Sequence, residues 1–449
     1  MKSIRSNTRL FLIFFVVFGH ISCSSSEDLT YNRVSDEITN RNGDQNQAGV
    51  CTESESVLDD FNIYRGNTHS HTIYSWSHGS HRTSCQGKGC DLEEDWDDFN
   101  AQGLPSDHLL LAKDNNHDFY VVTDHSSDPP LAGSDDYGWG DIKNEYDWAA
   151  NPWQNTLNAT EQATDENFVA LPGFEYGRNS DPDGTGTGHI NPINTAGHVD
   201  AMGENGTSIP ELYSWLKTVQ PAGGTGHVVA SFNHPSRQQF NDWAYLDDEI
   251  VDIITMFELR TVFRGRGPRW SGFVRALNKG WKVSPISVAD NHGYWNIINT
   301  PNLTYVLAPE LTKEAITLAM KERRTYTSWA GLRDTQVDLK YSVNGCIMGS
   351  TLDKPTVFNF RIEVNTHPTD TGQDVRRIQI LRNHPTDPDA VQVAAEQEFN
   401  NGNEVVWTPK VEDSTAAYFL LRIHHANDME NGSFNIHGST YSAPVWTGR

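Results

Sequence analysis

Positive charge is scarce in this chain. Its 449 residues carry 34 Lys and Arg against 59 Asp and Glu, a formal net charge of -25. Such an acidic surface argues against nucleic acid, whose phosphates recruit Lys and Arg, and against adsorption onto anionic lipid. A small anionic substrate stays open where metal ions and a few arginines make a site locally positive. Long apolar runs are also missing: Leu10 to Gly19, LFLIFFVVFG, is too short for a comfortable membrane span. Neither a Gly-x-Ser-x-Gly elbow nor a P-loop occurs, so no motif marks a serine nucleophile or a nucleotide-phosphate cradle. Cysteines number five, and no second Cys pair lies near Cys85 and Cys90 to complete a zinc site. With 37% hydrophobic and 21% charged residues the chain suits a soluble globular protein, and its length suits two or three domains.

The N-terminus is a targeting segment. Lys2, Arg5 and Arg9 precede the short apolar run, and small residues lead into Cys23. His20-Ile21-Ser22-Cys23 resembles a bacterial lipobox, departing from it at His20 where an aliphatic residue is usual. Residues 1–22 are therefore expected to be a lipoprotein-type signal peptide, with plain secretion as the alternative. The polar residues 23–56 read as a disordered tether. The implied location is the outer membrane or cell surface, held only by a lipid on Cys23, or else the periplasm or medium. With Cys23 lipidated, four cysteines remain. Cys85 and Cys90 flank Gln-Gly-Lys-Gly and suit a small disulfide loop, which leaves Cys51 and Cys346 as a pair by elimination.

Residues 57–331 alternate strand-like runs with helical stretches, predicting an α/β domain. The runs cover 62–66, 118–123, 168–172, 188–193, 227–232, 252–259, 282–289 and 303–307; several are continuously apolar, as strands buried on both faces are. Helices are expected at 208–219, 270–279 and 311–323. A parallel sheet follows, and a barrel fits the count. Two long insertions, 76–116 and 128–167, carry Trp76, Trp96, Trp139 and Trp153, which are candidates for stacking on sugars. Residues 332–449 turn to short strands between turn residues, the pattern of a small all-β sandwich serving as lid, support or accessory binding module. Its histidines, at 367, 384, 424, 425 and 437, read as surface or packing residues.

Histidines and carboxylates recur where the apolar runs end. His69 and His71 stand in RGNTHSHT, Asp124 and His125 in FYVVTDHS, Glu175 in VALPGFEYG, His189 in GHINPI, His234 in VVASFNHPS, and Asp290 and His292 in ISVADNHG. Side chains leaving parallel strands at one end converge, and imidazole with carboxylate is the ligand set of a hydrolytic metal centre. This ordered set resembles the PHP (polymerase and histidinol phosphatase) superfamily over roughly residues 60–330. Such a resemblance implies a distorted seven-stranded β/α barrel with two or three divalent ions. By that resemblance His69 and His71 hold a first metal, Glu175 bridges two, His125 serves a second, and His189 and His234 serve a third. Asp290 and His292 close the first and third. His78 stands in for a further ligand, later than the family pattern places it, with His81 another candidate. Asp124 is expected to orient or sit beside the ligands. The sandwich and KERRTYTS, residues 321–328, resemble a secreted, carbaryl-hydrolase-like branch.

The donor set suits Zn, Mn or Fe, and a metal-activated hydroxide needs no protein nucleophile. Arg178, Arg237, Arg260, Arg264, Arg266 and Arg269 follow the motif segments, and one or two are expected to grip an anion; Arg178 and Arg264 lead, beside Asp124, as catalytic candidates. Glu258 at a strand end is either a support for the ligands or structural. The expected function is an exported metal-dependent phosphoesterase acting on a small phosphorylated, glycan-linked substrate. Its alternatives are a carbamate or carboxyl-ester hydrolase with the same centre, and a non-catalytic surface glycan-binding lipoprotein.

Overall fold

The computed structural model describes residues 50–51, 57–76, 102–201, 206–261, 269–294, 297, 303–329, 336–366, 373–430, 432–434 and 437–449. The expected signal peptide, Cys23, the Cys85–Cys90 loop, His78, His81, Trp96, Arg264, Arg266 and His367 lie outside these residues. Cys51 and Cys346 are disulfide-bonded.

After β1 (Val50–Cys51), the strands of the α/β half are β2 (Asn62–Asn67), β3 (Phe119–His125), β4 (Val169–Arg178), β5 (Gly188–Ile193), β6 (Val229–Asn233), β7 (Ile254–Thr261), β8 (Ser284–Val288), β9 (Leu303–Ala308) and β10 (Thr325–Ser328). Hydrogen-bonded neighbours run β10-β9-β2-β3-β4-β5-β6-β7-β8. Pairs β2–β3, β3–β4, β6–β7 and β7–β8 are parallel. β5 is antiparallel to both β4 and β6, and β9 is antiparallel to β2 and β10. The sheet is therefore mixed, where the strand–helix alternation suggested a parallel one. β8 meets β9 and β10 through side chains: Thr304 Oγ1 accepts from the Ser287 amide at 3.2 Å and donates to its carbonyl at 2.9 Å, and Thr325 donates to Ser284 Oγ at 2.7 Å.

Helices α1 (Pro105–Asp114), α2 (Pro152–Ala163), α3 (Ile209–Leu216), α4 (Trp270–Asn278) and α5 (Lys313–Lys321) connect these strands. Their ends follow local chemistry. The Ser208 amide donates to Glu211 Oε2 at 2.8 Å, a capping box at the start of α3. Gly280, at φ +101°, turns the chain out of α4. Val121, Leu171, Ile193, Met256, Ile286 and Val306 pack with Ile316 and Met320 of α5 into a dry core. That core lies two to four residues back along the strands from the ligands, so the ligands stand on a filled floor.

The C-terminal strands are β11 (Asp338–Val343), β12 (Cys346–Ile347), β13 (Thr351–Leu352), β14 (Val357–Asn365), β15 (Val375–Asn383), β16 (Val391–Gly402), β17 (Glu404–Trp407), β18 (Lys410–Glu412), β19 (Tyr418–His425), β20 (Met429–Glu430), β21 (Ser433–Phe434), β22 (Thr440–Ser442) and β23 (Val445–Trp446). The sheet of β11, β12, β14, β17 and β18 faces β15 and β19 across Phe358, Phe360, Ile362, Ile380, Phe419 and Leu421. This is a sandwich, but it shares a sheet with the α/β half: β22 pairs antiparallel with β10, Thr327 opposite Tyr441. The Cys51–Cys346 disulfide and the parallel pairing of β1 with β13 fasten the start of the described chain to the same body.

Candidate metal centre

His69 and His71 leave the C-terminal end of β2, His125 ends β3, Glu175 lies in β4, and His234 follows β6; Asp290 and His292 follow β8. These strands run parallel, so their ends meet on one side of the sheet. His189 is the second residue of β5. Because β5 runs against both neighbours, its start lies at the same edge, and His189 pairs in register with Asn233. Backbone bonds bind the loops to one another: the Asp290 amide donates to the His69 carbonyl at 3.0 Å and the His71 amide to the Asn291 carbonyl at 2.9 Å. Two corners are strained, with His234 at φ 27° and Asp290 at φ 49°, positive values that non-glycine residues hold only when their surroundings over-determine them.

Among the described residues three groups of donor atoms result, each within 4.8 Å: His69, His71 and Glu175; Glu175, His189 and His234; and His71, His125 and His292. Glu175 divides its oxygens between them. Oε1 lies 3.0 Å from His189 Nδ1 and 3.1 Å from His234 Nε2, while Oε2 lies 3.2 Å from His125 Nε2 and 3.6 Å from the Nε2 atoms of His69 and His71. The two Nε2 atoms are 2.9 Å apart, and Asp290 Oδ1 lies 3.2 Å from that of His71. Ligands at about 2.0–2.1 Å from one ion stand roughly 3 to 3.5 Å from each other, so these spacings fit a divalent cation.

The outward ring nitrogens explain why lone pairs face inward. His69 Nδ1 donates to Glu258 Oε1 at 2.6 Å. The Ser75 hydroxyl donates to Asp124 Oδ1 at 2.9 Å, so its oxygen accepts from His71 Nδ1 at 2.8 Å and from the His125 amide at 3.0 Å. His125 Nδ1 faces Asp128 Oδ2 at 3.2 Å, and His189 Nε2 faces Asn179 Oδ1 at 2.9 Å. In each case an acceptor takes the N–H and leaves the other nitrogen as a ligand, the usual bracing of metal-binding imidazoles. Asn233, gripped by Asn191 at 2.6 Å, donates to Glu175 Oε1 at 3.1 Å.

Charge follows the same plan. Burial opposes ionisation of Glu175, yet His69, His189 and His125 hold its carboxyl well below the usual range. Burial likewise opposes a charged Asp290, and His69 and His71 carry its carboxyl below normal. Burial works against a protonated His69, but Glu258, Glu175 and Asp290 raise it well above an ordinary imidazole. His125 is raised to about 10, Asp128 and Glu175 outweighing its burial. His71 is lowered by burial and by the neighbouring His292 and His125. The cluster is thus a nest of imidazoles and ionised carboxylates that a cation, displacing the protons on His69 and His125, would complete.

Among the expected ligands, His69, His71, His125, Glu175, His189, His234, Asp290 and His292 come together in or beside the three groups. Asp124 does not join them. Its Oδ1 accepts from the Thr72 amide at 2.6 Å and its Oδ2 from the Thr72 hydroxyl at 2.7 Å, and burial pushes its carboxyl up to about 6. It braces the ligand loop through Thr72 and Ser75. Arg178 is also corrected: strand alternation puts it with Tyr176 on the face opposite Glu175, where both reach the Thr207 carbonyl and Arg178 pairs with Asp183 at 2.7 Å. Arg237 pairs with Asp389, and Arg260 bonds the Gly438 carbonyl. Trp76 and Trp139 are buried together with Tyr74 in the core of the insertions and meet edge to face, so neither presents a face to a sugar. Ser75, Asp128, Asn179, Asn191 and Asn233 went unsuspected; their only signal was nearness to a ligand motif.

No family model and no curated protein matches the chain. Among solved structures, a two-domain protein from Bacteroides vulgatus ATCC 8482, described as containing a predicted PHP-like metal-dependent phosphoesterase, aligns with 90% of this chain and 100% of its own. The identity is 13% and the TM-score 0.41, so the functional reading rests on the geometry of the centre.

Proposed function

We propose that this chain is a metal-dependent hydrolase of phosphate esters, of the PHP type. The observation that carries the reading is the division of Glu175 between two groups of imidazoles, with the outward nitrogens of His69, His71, His125 and His189 held by acceptors. Two or three divalent ions, of Zn, Mn or Fe type, suit this donor set. When bound, such ions acidify water to near-neutral pKa and steady the negative charge that develops on an ester's oxygens. The chain's own residues do the rest. Glu258 fixes His69 and, through the His234 amide at 2.6 Å, the His234 corner. Asp124, through Ser75 and Thr72, fixes the His71 loop. The half-open side of His125, His189 and His234 admits substrate.

A second reading, hydrolysis of a carbamate or carboxyl ester, draws support from Arg178 lying on the face opposite Glu175, which leaves less positive charge for a phosphate. Export on a lipid-anchored Cys23, to the outer membrane or cell surface, belongs to the same proposal; its supports are the N-terminal sequence and the Cys51–Cys346 disulfide, a bond at home in oxidising compartments. Rates on p-nitrophenyl phosphate, bis-p-nitrophenyl phosphate, p-nitrophenyl acetate and a carbamate, for metal-loaded wild type and His69→Ala, test the reading. Phosphoester turnover lost in the variant supports it. Turnover confined to acetate or carbamate selects the second reading, and none on any ester sinks both.

A further inference from the structure

A second concentration of polar chemistry lies outside the metal centre. Between Glu258 and Arg260 the pairing of β7 with β8 slips: Glu258 stands opposite Ile286, and Arg260 opposite the next residue, Ser287. This bulge turns Arg260 to the outer face of the sheet, away from His69, against the strands that follow β10. The Arg260 side chain is almost completely buried, with 7% of the residue exposed. Its guanidinium stacks 3.8 Å over the ring of Trp329, and Nη2 donates to the Gly438 carbonyl at 3.3 Å. Nε, also buried, meets no acceptor among the described residues. His437 Nδ1 is buried and without a partner among the same residues, and His437 feels both Arg260 and Arg422. Arg422 is engaged by Gln379 at 2.8 Å, adding charge without being idle.

Among the described residues no carboxylate pairs with Arg260. Asp428 is the carboxylate felt by Arg260, yet its oxygens are taken by the His425 and Ser439 amides, at 2.8 and 3.0 Å, and by the Ser439 hydroxyl. In a chain of net charge -25, cations are seldom short of carboxylates. A buried guanidinium without one is costly, and an unmet N–H adds to that cost. Trp329 is 43% exposed, so the stacked pair opens to solvent.

We propose that Arg260, His437 and Arg422, floored by Trp329, form a binding site for a tetrahedral oxyanion, a sulfate or phosphate group, separate from the metal centre. The group is free in solution or is carried on a larger molecule such as a sugar. An oxyanion supplies acceptors to a planar guanidinium fork and neutralises a seam where the sandwich joins the α/β half.

The test is calorimetric titration of the full, metal-loaded chain with sodium sulfate, and separately with glucose 6-sulfate, at constant ionic strength. Wild type should bind one sulfate group per chain. Arg260→Gln and His437→Gln should each weaken binding by about tenfold or more, Arg260→Lys by less, and His69→Ala should bind as wild type does. Tighter binding of the sugar ester than of the free ion assigns the site to a carried group; equal binding assigns it to the free ion. Should Arg260→Gln fail to fold, His437→Gln carries the test. No heat with either probe, equal binding by wild type and both Gln variants, or loss of binding in His69→Ala would overturn the proposal, the last by placing the anion at the metals.

Discussion

The buried pole of the metal centre and its open rim use the same chemistry under different constraint. At the pole, His69, His71 and Glu175 are sealed from solvent, with Asp290 nearly so, and loop-to-loop backbone bonds lock them. At the rim, His125, His189 and His234 keep 14%, 18% and 9% of their side chains exposed. His234 sits on a strained corner, and its loop is secured by Arg237, whose partner is Asp389 of the sandwich. Under the proposed reading, one carboxylate, Glu175, joins a preorganised seat to an adaptable one. A pole ion should be held tightly, and a rim ion should exchange.

The strongest way to break the contrast is to cut the shared residue. Glu175→Gln should empty both seats and lower turnover by more than a hundredfold, beyond what loss of a supporting residue costs; elemental analysis with a rate assay checks this, and a variant that keeps its rim metal would refute the sharing. Next come the braces. Glu258→Gln should weaken the tightest ion by about 10- to 100-fold, while Asp128→Asn should weaken only the looser one, by about tenfold. Competition with a fluorescent chelator reads both, and equal effects on both ions from either variant would erase the distinction.

Acidity gives a third comparison. His69 and His125 are raised, His125 to about 10, so without metal both carry protons at neutral pH. Metal must displace these protons, so affinity should rise with pH and binding should release protons. Titration calorimetry in buffers of different ionisation enthalpy measures the release, and a pH-independent affinity would contradict it. The stability sign is opposite. With a folded pKa above its ordinary 6.5, protonated His125 stabilises the metal-free fold in full below about pH 6.5, and that contribution is lost as pH rises through about 10. The smallest effect belongs to the rim's outer tether. Asp389→Asn leaves Arg237 and Arg275 without that partner, and since Arg237 is half exposed it should barely change stability and should loosen the rim ion a fewfold, with no change at the pole.

Much of this centre was legible because its residues obey a rule visible in one dimension: ligands stand where apolar runs stop. The apolar runs found β2 to β9, β4 and β7 running on past their expected ends, and missed β10. Strand direction was not legible. GHINPI reads alike in either sense, and only pairing with β4 and β6 sets β5 antiparallel and brings His189 to the right edge. Side-chain facing was misjudged for Arg178 because nearness in sequence to Glu175 hides the alternation that separates them. The bulge that turns Arg260 outward depends on register with β8, which no local pattern records. Cys51 and Cys346 were paired by elimination; 295 residues of separation leave no local signal. That the sandwich shares its sheet with the α/β half was likewise hidden, because β10 and β22 lie far apart along the chain.

The central claim is that Glu175 joins two seats for divalent ions. The most direct measurement is elemental analysis of the full chain, purified without chelator and reloaded with Zn or Mn, during stepwise chelation, for wild type and Glu175→Gln. The wild-type chain should hold at least two ions, lost in two separate steps, and the variant should retain neither. A wild-type chain that binds no ion after reloading, or a variant that binds as many as wild type, would contradict it.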